Sequence, residues 1–86
     1  MWYTYVLFSK TLNKFYTGFT NDLERRLNEH LGGHANTTSK FDKLELIYYE
    51  ACVDESDARS RELHLKAGKG KHYLKSRLKR FLFRTG

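Results

Sequence analysis

Aromatic and β-branched side chains crowd the start of the chain. Along residues 2–8, Trp2, Thr4, Val6 and Phe8 fall on one face, and Tyr3, Tyr5 and Leu7 on the other. That period of two, in residues suited to a pleated surface, predicts a β-strand. Residues 9–14 are polar and turn-like, and residues 15–19 repeat the strand pattern, so the two segments read as an antiparallel hairpin. In the second strand Tyr16 and Gly18 share a face, and a glycine inside a strand leaves room for another backbone or a ligand.

From residue 21 the period becomes helical. Leu23, Leu27 and Leu31 recur every four residues, Asn21 takes the N-cap position with Glu24 as its capping-box partner, and Gly32-Gly33 closes the helix. Arg26 and His30 lie one turn apart on a neighbouring face. Residues 34–43 are polar and predict a mobile loop. Residues 44–51 are apolar on both faces, the pattern of a central strand. A second helix starts at residues 54–56 and runs to about residue 67. Gly68-Lys69-Gly70-Lys71 reads as a basic, flexible break, and residues 72–83 as a last helix with Leu74, Leu78, Phe81 and Leu82 at helical spacing. The order is ββαβαα. The expected fold is a small α/β domain, one unit over residues 1–86, with a three-stranded, mostly antiparallel sheet flanked by helices.

Composition narrows the partners. Hydrophobic residues make up 40% of the 86 and aromatic residues 15%, enough for a core without staples. Sixteen Lys and Arg against ten Asp and Glu give a net charge of +6, which favours a polyanion such as nucleic acid. No acid follows Glu62, and half of the basic residues do. Of these, Lys66, Lys69, Lys71, Lys75 and Arg77 are the candidate contacts to a nucleic-acid backbone; any one alone would serve solubility, but the set is one-signed. Cys52 is the single cysteine, so neither an internal disulfide nor a cysteine-rich zinc site is available, and a reducing, cytoplasmic setting is expected. The pattern contains neither a signal peptide nor a membrane span.

Five residues carry groups that could act on a phosphodiester. Tyr5 and Tyr16 would ordinarily be strand aromatics on a core, but their hydroxyls could orient or deprotonate water, given a cation to help a phenol that ionises near 10. Arg26 is either a solvated helix residue, like Arg25, or a planar donor fork for a phosphate. His30 is either a histidine at a helix end or a helper to a tyrosine or to the phosphate. Glu62 could simply pair with Lys66 one turn on, yet it shares a helix face with Ala58 and Leu65, which points it inward. His34, His64 and His72 are too scattered to make a metal site, with His34 a faint candidate.

Tyr3-Thr4-Tyr5, Tyr16-Thr17-Gly18, the run 21–27 with Arg26, His30, the strand 46–51 and the segment 59–66 with Glu62 together resemble the GIY-YIG nuclease superfamily over nearly the whole chain. The likeness is to its small single-domain members and to the N-terminal catalytic domain of the repair excinuclease, with DNA repair as one setting. Both triplets depart from the family pattern: Tyr3-Thr4 stands for Gly-Ile in the first, and Thr17 for isoleucine in the second. The resemblance implies an endonuclease acting on duplex or branched DNA with one Mg²⁺ or Mn²⁺ held by Glu62. It implies that Arg26 binds the scissile phosphate, that Tyr5 or Tyr16 handles the water, and that His30 supports them. A partner protein for targeting is compatible with so small a unit. The alternative reading is a nucleic-acid-binding module without catalysis; a basic protein-interaction module fits the tyrosine–arginine–glutamate set less well.

Overall fold

The structure, a computed structural model, describes residues 1–31 and 44–85. Its elements are β1 (Trp2–Ser9), β2 (Lys14–Thr20), α1 (Leu23–Leu31), β3 (Leu44–Cys52), α2 (Glu55–Lys66), α3 (Gly68–Arg77) and α4 (Lys79–Thr85). The predicted order is present, with the last helical run divided at Leu78, where φ −113° and ψ 25° leave the α region. The expected helix closure at Gly32-Gly33, the loop 34–43 and His34 lie outside the described residues.

The sheet is antiparallel throughout, in the order β2-β1-β3. β1 is therefore the central strand, and Thr4 to Ser9 are all buried. β3, expected in the centre, is at an edge. Its apolar run has another cause, a register shift in which Tyr48 faces Val6 and Leu46 faces Leu7. Ile47 is the extra residue of a bulge, a common feature of edge strands. Ile47 and Tyr48 can then both pack on the same core although they are adjacent in sequence. Between β1 and β2, Asn13 takes the left-handed conformation at φ 53°, which asparagine tolerates in turns. The Ser9 hydroxyl accepts a bond from the Leu12 N–H.

The core lies between the Val6 face of the sheet and α2–α3. Val6, Leu65 and Leu74 are wholly buried there, each stabilising the fold by roughly 1.5–3 kcal/mol. The Thr4 hydroxyl donates to the Ala58 carbonyl at 2.9 Å and fixes α2 against β1. α2 begins at Asp54, whose carboxylate accepts from the Ser56 N–H at 2.7 Å, and Glu55 and Asp57 in its first turn complement the helix dipole. α1 is capped by Asp22, which accepts from the Arg25 N–H at 3.1 Å, and not by Asn21 as its sequence position implies. The shorter entry follows from Thr20, whose hydroxyl accepts from the Asp22 N–H and sets the chain's direction.

The glycine-lysine segment 68–71 is the first turn of α3 rather than a break. Ala67 is extended (φ −75°, ψ 168°) and serves as end cap of α2 and N-cap of α3. Gly70 lies directly on the last turn of α2, and a Cβ there would collide with the His64 carbonyl and Leu65 Cα. Gly68 faces open space. Gly70→Ala should lower stability by about 3 kcal/mol, while Gly68→Ala should leave it unchanged or raise it by up to about 1 kcal/mol. Equal denaturation midpoints for the two variants would show that α3 does not sit on α2 in this way.

Candidate active site

On the opposite sheet face, Tyr5 pairs in register with Gly18, and Leu7 with Tyr16. The Tyr5 ring lies over Gly18: a Cβ on Gly18 would stand 2.5 Å from the Tyr5 hydroxyl. Absence of a side chain at Gly18 thus sets where that hydroxyl can be. There the hydroxyl meets His30 Nε2 at 2.9 Å. Tyr5 is 1% exposed and His30 2%, so α1 is tied to the sheet by a buried polar contact. Tyr16 also packs on the imidazole, with ring centroids 5.0 Å apart, against 5.7 Å for Tyr5. His30 thus contacts both tyrosine rings.

Burial pushes the Tyr5 phenol above its ordinary value. Arg26, one turn before His30, is near enough to the same hydroxyl to favour its ionised form, but this is the smaller effect. Burial also pushes the His30 imidazole below its ordinary value, and the Arg26 charge pushes it the same way, so the ring is held neutral. The oxygen of Tyr5 thus lies between a cationic donor and a neutral imidazole. An assignment that satisfies all three has the Tyr5 O–H donating to Nε2 and the His30 proton on Nδ1. One arm of Arg26 is engaged by Glu29 at 2.8 Å, which holds the guanidinium charged. Glu29 also takes Arg25 at 3.1 Å; Arg25 is largely exposed and is held by Asp22 as well.

Glu62 comes from α2. Ala58, Glu62 and Leu65 are that helix's buried residues, as their spacing implies. The Glu62 carboxylate, with its side chain 7% exposed, bonds Arg59 at 2.6 Å and Lys66 at 2.8 Å. It is close enough to Tyr5 for its charge to add to the upward push of burial on the phenol. The expected pair with Lys66 and the expected inward aim of Glu62 therefore coexist. Tyr5, Tyr16, Arg26 and His30 are linked directly, and Glu62 reaches them electrostatically. Lys66 belongs to this group through Glu62. Lys69 and Arg77 are exposed, and Lys71 and Lys75 line a separate groove. His64 and His72 are exposed.

A model of the GIY-YIG catalytic domain matches residues 1–80. The chain belongs to the GIY-YIG family. This is a nuclease family that acts on DNA, and the matched range contains Tyr5, Tyr16, Gly18, Arg26, His30 and Glu62. Among its relatives, UPF0213 protein ORF82 of Orgyia pseudotsugata multicapsid polyhedrosis virus is 39% identical over 75 residues, 85% of this chain and 71% of the viral protein. A UPF0213 protein of Limosilactobacillus reuteri is 34% identical over 88 residues, covering 99% of this chain and 85% of the bacterial one. A third, from Clostridium perfringens, is 37% identical over 65 residues, 74% of this chain and 69% of its own. Comparison with solved structures gave no match.

Three charged residues around this GIY-YIG cluster are missed by sequence reasoning. Glu29 competes for Arg26, and Arg59 covers Glu62; both sit at i,i+3 spacing, a signal open to reading. Arg61 carries no such local signal. It grips Glu50 of β3 with three hydrogen bonds of 2.8–3.0 Å, and Tyr48 donates to the same carboxylate at 2.6 Å. Its guanidinium also lies 4.7 Å from the centre of the Tyr73 ring. That clasp joins α2, β3 and α3, one residue before Glu62.

The neutral His30 has a consequence for stability. Its folded value lies below the unfolded one of about 6.5, so the unfolded chain binds the extra proton first as pH falls. The stabilisation is complete above about pH 6.5 and is lost below it. The thermal midpoint should therefore drop between about pH 7.5 and pH 5.5, above the range in which carboxylates titrate. The drop should shrink in His30→Gln; an unchanged pH slope in that variant would show that His30 is not held neutral.

Proposed function

We propose that the chain is a divalent-metal-dependent endonuclease hydrolysing DNA phosphodiester bonds, with residues 1–86 forming one catalytic unit. What carries the reading is the buried Tyr5–His30 contact, 2.9 Å long, with Arg26 beside the same hydroxyl. A tyrosine packed only as core would leave its hydroxyl at the rim or bond a backbone carbonyl. Here it is used to hold an imidazole and to sit beside a guanidinium.

Burial divides the roles of the two tyrosines. Tyr5 is enclosed and acts as a positioning residue for His30 and Arg26. Tyr16 is half-buried and presents its hydroxyl to the water that attacks phosphorus. His30 packs against both rings and fixes the Tyr16 ring. Arg26 remains one-third exposed and offers its remaining guanidinium donors to a non-bridging phosphate oxygen, where charge builds during in-line displacement. The bond from water oxygen to phosphorus forms as the bond to the leaving oxygen breaks; the water gives up one proton, and the leaving oxygen takes one up.

Glu62 suits a hard divalent ion. It is a carboxylate set back from solvent, and no trio of His, Cys, Asp or Glu surrounds it among the described residues. That donor set fits Mg²⁺ or Mn²⁺, which keep water and take phosphate oxygens, better than an ion needing an all-protein cage. Bound there, such an ion would offset charge on the phosphate and its leaving oxygen. Arg59 and Lys66, half-exposed on long side chains, are free to turn from Glu62 toward the DNA backbone.

One observation favours the second reading, a DNA-binding module without catalysis. Glu62 and Arg26 are both engaged by neighbours, Glu62 by two cations and Arg26 by Glu29. Nicking of supercoiled plasmid separates the readings. With Mg²⁺ or Mn²⁺ the wild type should nick, a chelator should stop it, and Arg26→Ala and Glu62→Ala should each slow it by about 100-fold or more. DNA binding without nicking on plasmid, branched and single-stranded substrates in both metals would exclude the endonuclease.

A further inference from the structure

Lysine and phenylalanine at the start of β2 mark a second place where nucleic acid could bind. Successive β2 residues point to opposite faces: Tyr16 joins the cluster around His30, and Phe15 turns to the other side. There a groove of about 790 Å³ runs between the hairpin and the α3–α4 segment. Lys14, Lys71, Lys75 and Lys79 stand around it, and Phe15 and Phe83 supply aromatic wall, with no acidic residue in the lining. Phe8, which also lines the groove, meets Phe15 at a tilt with centroids 5.6 Å apart and Phe81 edge-on at 5.8 Å.

Phe83 is the feature that plain solubility does not explain. It is 87% exposed, flanked by Lys79, Arg80 and Arg84. A solvated basic face has no use for a bare phenyl ring, whereas cations beside an open aromatic face suit an unpaired nucleotide: phosphates take the charges and the base takes the ring. A duplex keeps its base faces stacked and offers nothing to Phe83. Because β2 is an edge strand, a DNA strand can pass around it from the Tyr16 side to the Phe15 side.

We propose that this groove holds a single-stranded DNA arm, with backbone phosphates on the four lysines and a base stacked on Phe83. The preferred substrate is then a duplex carrying an unpaired arm, cut on one side of β2 and gripped on the other. This names the substrate class of the endonuclease and rests on that reading for the cut, but the grip stands without it. Lys14 and Lys79 join Lys71 and Lys75 as contacts, and Lys69 and Arg77 are left outside the groove.

Binding measured without metal, in chelator, tests the groove apart from cleavage. Fluorescence anisotropy with a short labelled oligothymidylate and a duplex of equal length should show the single strand binding more tightly. Phe83→Ala should weaken oligothymidylate binding by about tenfold while changing duplex binding by less than about twofold. Lys75→Gln should flatten the log–log salt dependence by about 0.7. Both side chains are exposed, and an unchanged circular dichroism spectrum would confirm that each variant is folded. Oligothymidylate binding indifferent to Phe83 would overturn the proposal. So would polyglutamate displacing oligothymidylate at equal charge, or phosphatidylserine vesicles bound more tightly through Phe83, which would assign the surface to any polyanion or to a membrane. Because no cut is read, failure of plasmid nicking leaves a positive result intact, and loss of the Phe83 effect leaves a positive nicking result intact.

Discussion

A hydroxyl and an imidazole enclosed together constrain much of this molecule. The Tyr5–His30 contact is almost free of solvent, and an unmet polar group in its place would cost about 1–3 kcal/mol. To make it, position 18 must lack a side chain, α1 must bring its last turn over the hairpin, and His30 must stay neutral. Arg26, one turn earlier on the same helix, is then carried to the same oxygen. A local requirement in β1 and β2 thereby sets the orientation of a helix whose own apolar face is modest, with Leu23 and Leu27 only half-buried.

The opposite face supplies the acidic component. α2 is held in three ways: by burial of Ala58 and Leu65, by the Thr4 hydroxyl on the Ala58 carbonyl, and by the Arg61–Glu50 clasp. Together these leave Glu62 little choice of direction. Its charge is balanced by Arg59 and Lys66, so a buried carboxylate is maintained without an unpaired charge. The same two cations are those a polyanion would attract. On the proposed function, resting charge balance and DNA affinity would be drawn from one set of side chains.

Much of this was legible in the chain because the relevant signals are local. Alternation marked the hairpin, leucine spacing marked α1, and the Ala58–Glu62–Leu65 face gave the direction of the glutamate. The resemblance to GIY-YIG nucleases added which polar residues to watch. Apart from the i,i+3 partners Glu29 and Arg59, what escaped is non-local. Residues 44–51 read as a doubly buried strand because a bulge cannot be seen in one strand's pattern. Gly68 to Lys71 read as a break because the use of Gly70 lies in the backbone of α2, not in its own neighbours. The lysines read as one docking strip, yet folding sends Lys66 to Glu62 and gathers Lys71 and Lys75 with Lys14 from the distant hairpin.

The most direct test is the protonation state of His30, read from ring ¹⁵N shifts across a pH titration. The account predicts that Nε2 is bare and Nδ1 protonated at neutral pH, that the ring titrates below the ordinary imidazole range, and that Tyr5→Phe disturbs both properties. A His30 titrating as a free imidazole, with its two tautomers mixed as in a solvent-exposed ring and no response to Tyr5→Phe, would contradict it.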